Sequence, residues 1–188
     1  MAIDGKKLNI VDESGEIVGT ATREEIHKNG LLHREIHVWF YTPNGEFIFQ
    51  HRAKDKDTYP NLLDATVGGH VEIDKDYLAA ALAETEEETG LKIEPRDLTF
   101  ITMIRSRSED SVTGMINNRL AAEYAFCFRG EVHNLVIEPG KAEGFEVWQF
   151  NRFFNATPEE RKRFIPSLFS EQVFSVLNEI KILWEKGI

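Results

Sequence analysis

Four glutamates, Glu84, Glu86, Glu87 and Glu88, fall within five residues of a stretch that can only be a helix. Leu78, Ala81, Leu82 and Thr85 recur at helical spacing opposite them, so a helix is predicted from about Asp76 to Thr89, with Gly90 as its left-handed stop. Residues 84, 87 and 88 are three and four apart and share one side of that helix, whereas Glu86 points elsewhere. Like charges on one face destabilise a helix by roughly a few tenths of a kcal/mol per pair, so a compensating cation is expected. Carboxylate oxygens suit a hard divalent ion, Mg²⁺ or Mn²⁺; a merely solvated acidic face is the plain alternative.

Around this helix the sequence reads as mixed α and β. Leu8–Val11 and Ile17–Thr20 are strand-like, and Thr22 followed by Glu25 forms a reciprocal cap for a short helix ending near Gly30. Two β-rich runs, Ile36–Tyr41 and Glu46–His51, flank Thr42-Pro-Asn-Gly and predict a hairpin, since Asn-Gly tolerates positive φ. An extended segment, Leu63–His70, precedes the acidic helix. Further strands are expected at Leu98–Ile104, Leu120–Phe128 and Glu146–Phe150. The end is helical, over Pro158–Arg163 and from about Ser170 to Lys186, with Val173, Phe174, Leu177, Ile180 and Leu183 as a packing stripe. That stripe can cover the fold itself or a second subunit, so a homodimer is one expectation.

No repeat, low-complexity tract or linker divides the 188 residues, and 41% hydrophobic side chains suffice for one core. A single domain spanning 1–188 is expected. The net charge of −10 disfavours nucleic acid as a partner but is compatible with a locally basic phosphate pocket. The single cysteine, Cys127, excludes an intramolecular disulfide and reads as a core thiol in a reducing compartment. Charges interrupt every apolar run near the N-terminus, so neither a signal-peptide core nor a membrane partner is expected, and a cytoplasmic location is.

The spacing upstream of the glutamates gives the helix a family. Gly69, five residues, Lys75, seven residues, then Ala83-Glu-Thr-Glu-Glu-Glu-Thr-Gly-Leu91 resembles the Nudix box, G-x5-E-x7-R-E-U-x-E-E-x-G-U, where U is aliphatic. Gly69, Glu84, Glu87, Glu88, Gly90 and Leu91 match, while Lys75, Ala83 and Thr85 depart. The resemblance implies a Nudix fold of the α/β (α+β) class, a mixed β-sheet sandwiched between helices. The box would span 69–91, with an N-terminal β-β-α extension over about 1–33 and a C-terminal helical region over about 151–188. It also implies that Glu84, Glu87 and Glu88, with Gly69, hold the catalytic Mg²⁺ or Mn²⁺. The family's arginine at position 83 orients the following glutamate, so Ala83 bears on efficiency; Lys75 and Ala83 together read as a compensated pair.

Beyond the box, Gln50-His-Arg-Ala, the Lys-rich loop with Tyr59-Pro60, and Thr66-Val-Gly-Gly-His resemble the isopentenyl-diphosphate isomerase branch and its hydrolase relatives. That resemblance implies phosphate contacts from Arg23, Arg52 and Lys56, groups suited to clamping a diphosphate. It also implies a second metal site at His27, His33 and His70, although Ile116-Asn-Asn-Arg119 lacks the branch's glutamate pair. Gly68 stands where the isomerase has its catalytic cysteine. With acid and base both missing, hydrolysis is expected over isomerisation, and the histidines then read as hydrogen-bonding or surface groups more than ligands.

The expected activity is hydrolysis of a phosphoanhydride in a nucleoside-diphosphate-X or related organic diphosphate, thiamine and isoprenoid diphosphates included. Glu84, Glu88, or the later Glu109 and Glu143 are candidates for the base. Trp39, Phe40 and Tyr59 are expected in the core or at the rim. Two rivals are an isomerase and, given Ala83, a nucleotide-binding protein with weak catalysis.

Overall fold

The chain starts with an antiparallel pair, β1 (Lys7–Val11) and β2 (Ile17–Thr22), and a helix, α1 (Arg23–Asn29). These are seen in a computed structural model that describes residues 6–187 apart from Asp57, so the reading of residues 1–5 lies outside the described part. The Thr22 side chain accepts the Glu25 amide and the Glu25 carboxylate accepts the Thr22 amide, completing the reciprocal cap. Gly30 closes α1 in the left-handed region at φ 62°.

The hairpin consists of β3 (His33–Thr42) and β4 (Glu46–Arg52), and its turn differs from the expected one. Thr42 pairs with Glu46, so three residues form the loop and Gly45, not Asn44, takes the positive φ. A three-residue loop with glycine in the left-handed position is the next common hairpin geometry, and the Thr42 hydroxyl secures it by accepting the Asn44 amide.

There follow β5 (Leu63–Asp64), β6 (Val67–His70), α2 (Tyr77–Thr89), β7 (Leu98–Glu109), β8 (Ile116–Cys127) and β9 (Ala142–Gln149). The C-terminal region holds α3 (Phe150–Phe154), α4 (Pro158–Arg161) and α5 (Glu171–Glu185). The described strands join in one mixed sheet with β3 at its centre. One edge of β3 pairs in parallel with β8; the other is divided, with β6 on Glu35–Val38 and β4 on Phe40–Thr42.

Thr66 sits in this fork. Its hydroxyl accepts the Phe40 amide at 2.9 Å and donates to the Ile48 carbonyl, so backbone groups left unpaired by the split are satisfied. The fork opens the sheet next to α2, which positions the site described below.

Alternation along β3 assigns its faces. Ile36, Val38 and Phe40 bury against α2 with Ile48, Val67, Ala80 and Ala81. Trp39 and Tyr41 bury on the opposite face with Phe47, Phe49, Trp148, Phe153 and Phe164. Val173, Val176, Leu177 and Ile180 of α5 join that second core, so the stripe packs on the chain's own sheet. Trp39 and Phe40 are core residues, Tyr59 is at a rim, and Cys127 is free and half-buried against the second core. No helix among the described residues is long and apolar enough to cross a membrane.

Candidate active site

The acidic helix begins at Asp76, whose carboxylate accepts the Ala79 amide at 2.7 Å, and ends at Gly90. Thr85, where an aliphatic residue was expected, is fully buried and donates its hydroxyl to the Ala81 carbonyl at 2.7 Å, so it fits the core without an orphaned polar group. Glu86 points outward to Lys92 at 3.1 Å. Glu84 and Glu87 line a cleft of about 1480 Å³, and Glu88 lies buried behind them. Gly69 lies against Glu84 so closely that a Cβ there would fall inside the carboxylate. Only glycine permits that approach.

Two residues not picked out from the sequence complete this end of the cleft. Gln50 donates its amide to Glu88 Oε2 at 2.6 Å, and Lys141, on the loop before β9, places its ammonium 3.3 Å from Glu84 Oε2 and in contact with Glu88 Oε1. Burial pushes the Glu88 carboxyl up to about 7, against the pull of Lys141 and Gln50. Lys141 is half-buried, which works against its charge, yet Glu88 and Glu84 raise its pKa, so it stays charged. Lys75 pairs with Glu72 at 3.0 Å, and at Ala83 the helix has no cation of its own. Three carboxylates beside a glycine backbone form a set of hard oxygen donors that fits a divalent ion.

Arg23, Arg52 and Lys56 all line the same cleft. Arg23 makes no ion pair among the described residues. Arg52 is tied to Asp64 at 2.8 Å, the Thr58 carbonyl at 2.8 Å and the Tyr59 carbonyl at 3.1 Å, so most of its donors fasten the loop in which Tyr59 and Asn61 hold positive φ. Burial first, and then Lys141, Arg52 and Arg23, hold the Lys56 ammonium below the ordinary lysine range. A cation crowded by cations is a site prepared for an anion.

His27, His33 and His70 do come together, with ligand atoms all within 4.8 Å of one another. His27 Nε2 faces His70 Nε2 at 3.2 Å, while Glu35 Oε1 lies 3.2 Å from His33 Nε2 and 3.5 Å from His70 Nε2. The Nδ1 atoms of His27 and His33 lie near the carbonyls of Ile116 and Leu31, at 3.4 and 3.0 Å. Such backbone contacts fix the tautomer that frees Nε2 for a metal. Burial lowers His27 and takes His70 down to about 3, which keeps both rings in the neutral, metal-binding form. Glu35, two residues after His33 on the same strand face, supplies an acid although residues 116–119 do not.

On the same face of β3 lies a buried polar row. His37 Nδ1 meets Glu123 Oε1 at 2.9 Å, Trp39 donates its indole N–H to Glu123 Oε2 at 2.6 Å, and Arg119 bonds Glu35 Oε2 at 2.9 Å. Burial opposes ionisation of Glu35, but Arg119 and His33 hold its carboxyl well below the usual range. The period-2 placement of Glu35 and His37 in an apolar strand was the available signal.

Glu109 and Glu143 are not among the residues that line the cleft. The strand expected to end at Ile104 continues to Glu109, which pairs with Ile116 at the far end of the β7–β8 hairpin, and Glu143 lies within β9. Both are exposed and neither is itself part of the cleft lining, although Ser108 and Asp110 on either side of Glu109 are.

Comparison with known proteins places the fold in a family. Residues 31–168 match the NUDIX domain family. An uncharacterized Nudix hydrolase of Clostridium acetobutylicum is 27% identical over 154 residues, covering 79% of this chain and 73% of that one. The Nudix hydrolase YfcD of Escherichia coli K12 is 37% identical over 84 residues, 45% of this chain and 47% of its own, so the match spans about half of that relative's length. The crystal structure of DR0079 from Deinococcus radiodurans superposes with a TM-score of 0.63 at 18% identity, over 92% of this chain and 98% of that one, extending the likeness of fold to almost the whole chain. With the box helix, the divided sheet and the match over residues 31–168 in agreement, the chain belongs to the Nudix family, whose enzymatic class is hydrolysis of pyrophosphate bonds.

Proposed function

We propose that the protein hydrolyses a phosphoanhydride bond in a nucleoside-diphosphate-X or related organic diphosphate, using Mg²⁺ or Mn²⁺ held by Glu84, Glu87 and Glu88 with the Gly69 backbone. The observation that carries this reading is that Glu84 and Glu87 of α2, with Glu88 buried behind them, and the cations Arg23, Lys56 and Lys141 meet at one cleft. A bound divalent cation neutralises diphosphate charge and acidifies the attacking water. Arg23 and Lys56 hold the phosphates in line for attack, and Arg52 keeps the Lys56 loop in place. Glu88, at the buried end of the acidic face and held by the Gln50 amide, is the candidate base for the attacking water.

The three histidines with Glu35 favour a second bound metal, since imidazole nitrogens and one carboxylate oxygen suit Zn²⁺ or Mn²⁺. This observation revives the branch resemblance for the metal site. It does not revive isomerisation, because Gly68 offers no thiol and residues 116–119 no acid.

Phosphate and pyrophosphate release from nucleotide, thiamine and isoprenoid diphosphates, with Mg²⁺ or Mn²⁺, tests the proposal. Turnover by the wild type and its loss in a folded Glu88→Ala variant are expected. Tight binding of a nucleotide without turnover would establish the binding-protein rival, and isopentenyl diphosphate rearranged with its phosphates intact would establish the isomerase.

A further inference from the structure

Lys141 sits on two of the carboxylate oxygens that a metal ion held by α2 would use. Its ammonium lies 3.3 Å from Glu84 Oε2, touches Glu88 Oε1 and stands 3.9 Å from Glu138 Oε2. A divalent ion binds such oxygens at about 2.0–2.6 Å, so the ion and the ammonium would be like charges sharing the same two acceptors. An ion that takes those two oxygens meets the ammonium as a like charge, so the two compete for them. The backbone of Lys141 is fixed, its N–H donating to the Glu138 carbonyl and its carbonyl accepting the Ala53 amide, each at 3.1 Å. Only the four-carbon side chain is free to swing, and the open direction is the cleft that Lys141 shares with Lys56 and Arg23. A half-buried ammonium that leaves two carboxylates needs another anion. In that cleft the substrate's diphosphate supplies one.

We infer that Lys141 is a substrate-binding residue with two partners: it competes with the divalent cation for Glu84 and Glu88 and, once displaced, binds the diphosphate. The inference rests on the reading that the α2 carboxylates hold the metal. It also gives the positive charge missing at Ala83 a source elsewhere in the chain, and it couples metal binding to substrate binding, because the cation's arrival releases the lysine.

The test is Mn²⁺ binding to the substrate-free protein, followed by electron paramagnetic resonance of the free ion, and binding of methylenediphosphonate at saturating Mn²⁺. Lys141→Met is expected to bind Mn²⁺ about tenfold more tightly and the diphosphonate about tenfold more weakly, each the size of one charged hydrogen bond. Lys141→Gln, which keeps a polar tip without the charge, must shift each affinity in the direction that Lys141→Met shifts it, and Lys141→Arg must stay near the wild type. A merely structural lysine would weaken both together or change neither, and either result overturns the inference. Glu84→Gln is measured in parallel. If it binds Mn²⁺ like the wild type, the metal assignment on α2 fails, independently of what Lys141 does.

Discussion

Gln50 and Glu88 meet across 2.6 Å, joining the hairpin strand β4 to the buried side of the acidic helix. Gln50 also reaches the Thr66 carbonyl at 3.3 Å, so one side chain ties the fork in the sheet to the helix. Replacing it with leucine leaves a buried carboxyl with one partner fewer. Gln50→Leu is expected to lower stability by about 1–3 kcal/mol, as for a hydrogen bond to a charged group, and to raise the Glu88 pKa further. Urea unfolding reads the first effect. The acid-side loss of Mn²⁺ binding reads the second by moving to higher pH, because proton and ion compete for Glu88, and an unmoved midpoint would remove Glu88 from the ligand set.

The two sides of α2 give its glutamates different surroundings. Glu88 is buried beside Lys141, while Glu86 is held outside by Lys92. Glu88→Gln is expected to slow hydrolysis by about 10²–10⁴-fold, the usual contribution of a positioned acid–base group. Glu86→Gln should stay within about twofold of the wild type, as for surface changes remote from the site. Equal losses from both would mean that the helix acts through its total charge and not through one face.

Two neighbouring glycines make a paired test of the close approach between β6 and α2. At Gly69 a methyl group would fall inside the Glu84 carboxylate, whereas at Gly68 it would meet His37 Cδ2 at 3.1 Å on the opposite face. Gly69→Ala is therefore expected to displace Glu84 and weaken Mn²⁺ binding by about tenfold or more, the loss of one ligand's worth of charged contact. Gly68→Ala should shift His37 slightly and leave Mn²⁺ affinity near the wild type. Similar Mn²⁺ affinities in the two variants would argue against Glu84 as a ligand.

What could be read from the sequence was what depends on local spacing. The Thr22–Glu25 cap, the Gly30 and Gly90 stops and the division of Glu84, Glu87 and Glu88 from Glu86 all follow from helical periodicity over a few residues. Lys141 and Gln50 were out of reach because they come to α2 from positions 57 and 38 residues away in the chain. The buried row on β3 was hidden for another reason: His37 meets Glu123 only because β3 and β8 pair in parallel with those two residues side by side. A register shifted by one residue would turn Glu123 to the other face, and no spacing within either strand specifies that register. The turn at Gly45 shows the same limit on a small scale, since Asn-Gly permits a two-residue loop but the Thr42–Glu46 pairing selects three.

His37 and Glu123 also set an expected pH dependence. Burial lowers the His37 pKa, but the charge and hydrogen bond of Glu123 outweigh it, and the ring is raised above 6.5 despite Arg119 nearby; Glu35 adds to the rise. Burial likewise opposes ionisation of Glu123, yet His37, the Trp39 indole and Arg119 hold it below 4.5. His37 therefore contributes stability that is complete below 6.5, its unfolded value, and is lost as pH rises through its raised folded value. Glu123 contributes stability that is complete above 4.5 and is lost as pH falls through its lowered value. The pair contributes fully between those two values. In Glu123→Gln the largest charge favouring imidazolium is gone, while burial and Arg119 remain, so His37 is expected to titrate below 6.5. Its contribution then changes sign, and stability should fall as pH is lowered through 6.5, where the unfolded ring takes up a proton that the folded ring resists. Ring-nitrogen NMR titration of His37 in both proteins, with urea unfolding above and below that pH, measures the shift and its consequence; a His37 pKa that stays above 6.5 in Glu123→Gln would show that another group charges the ring.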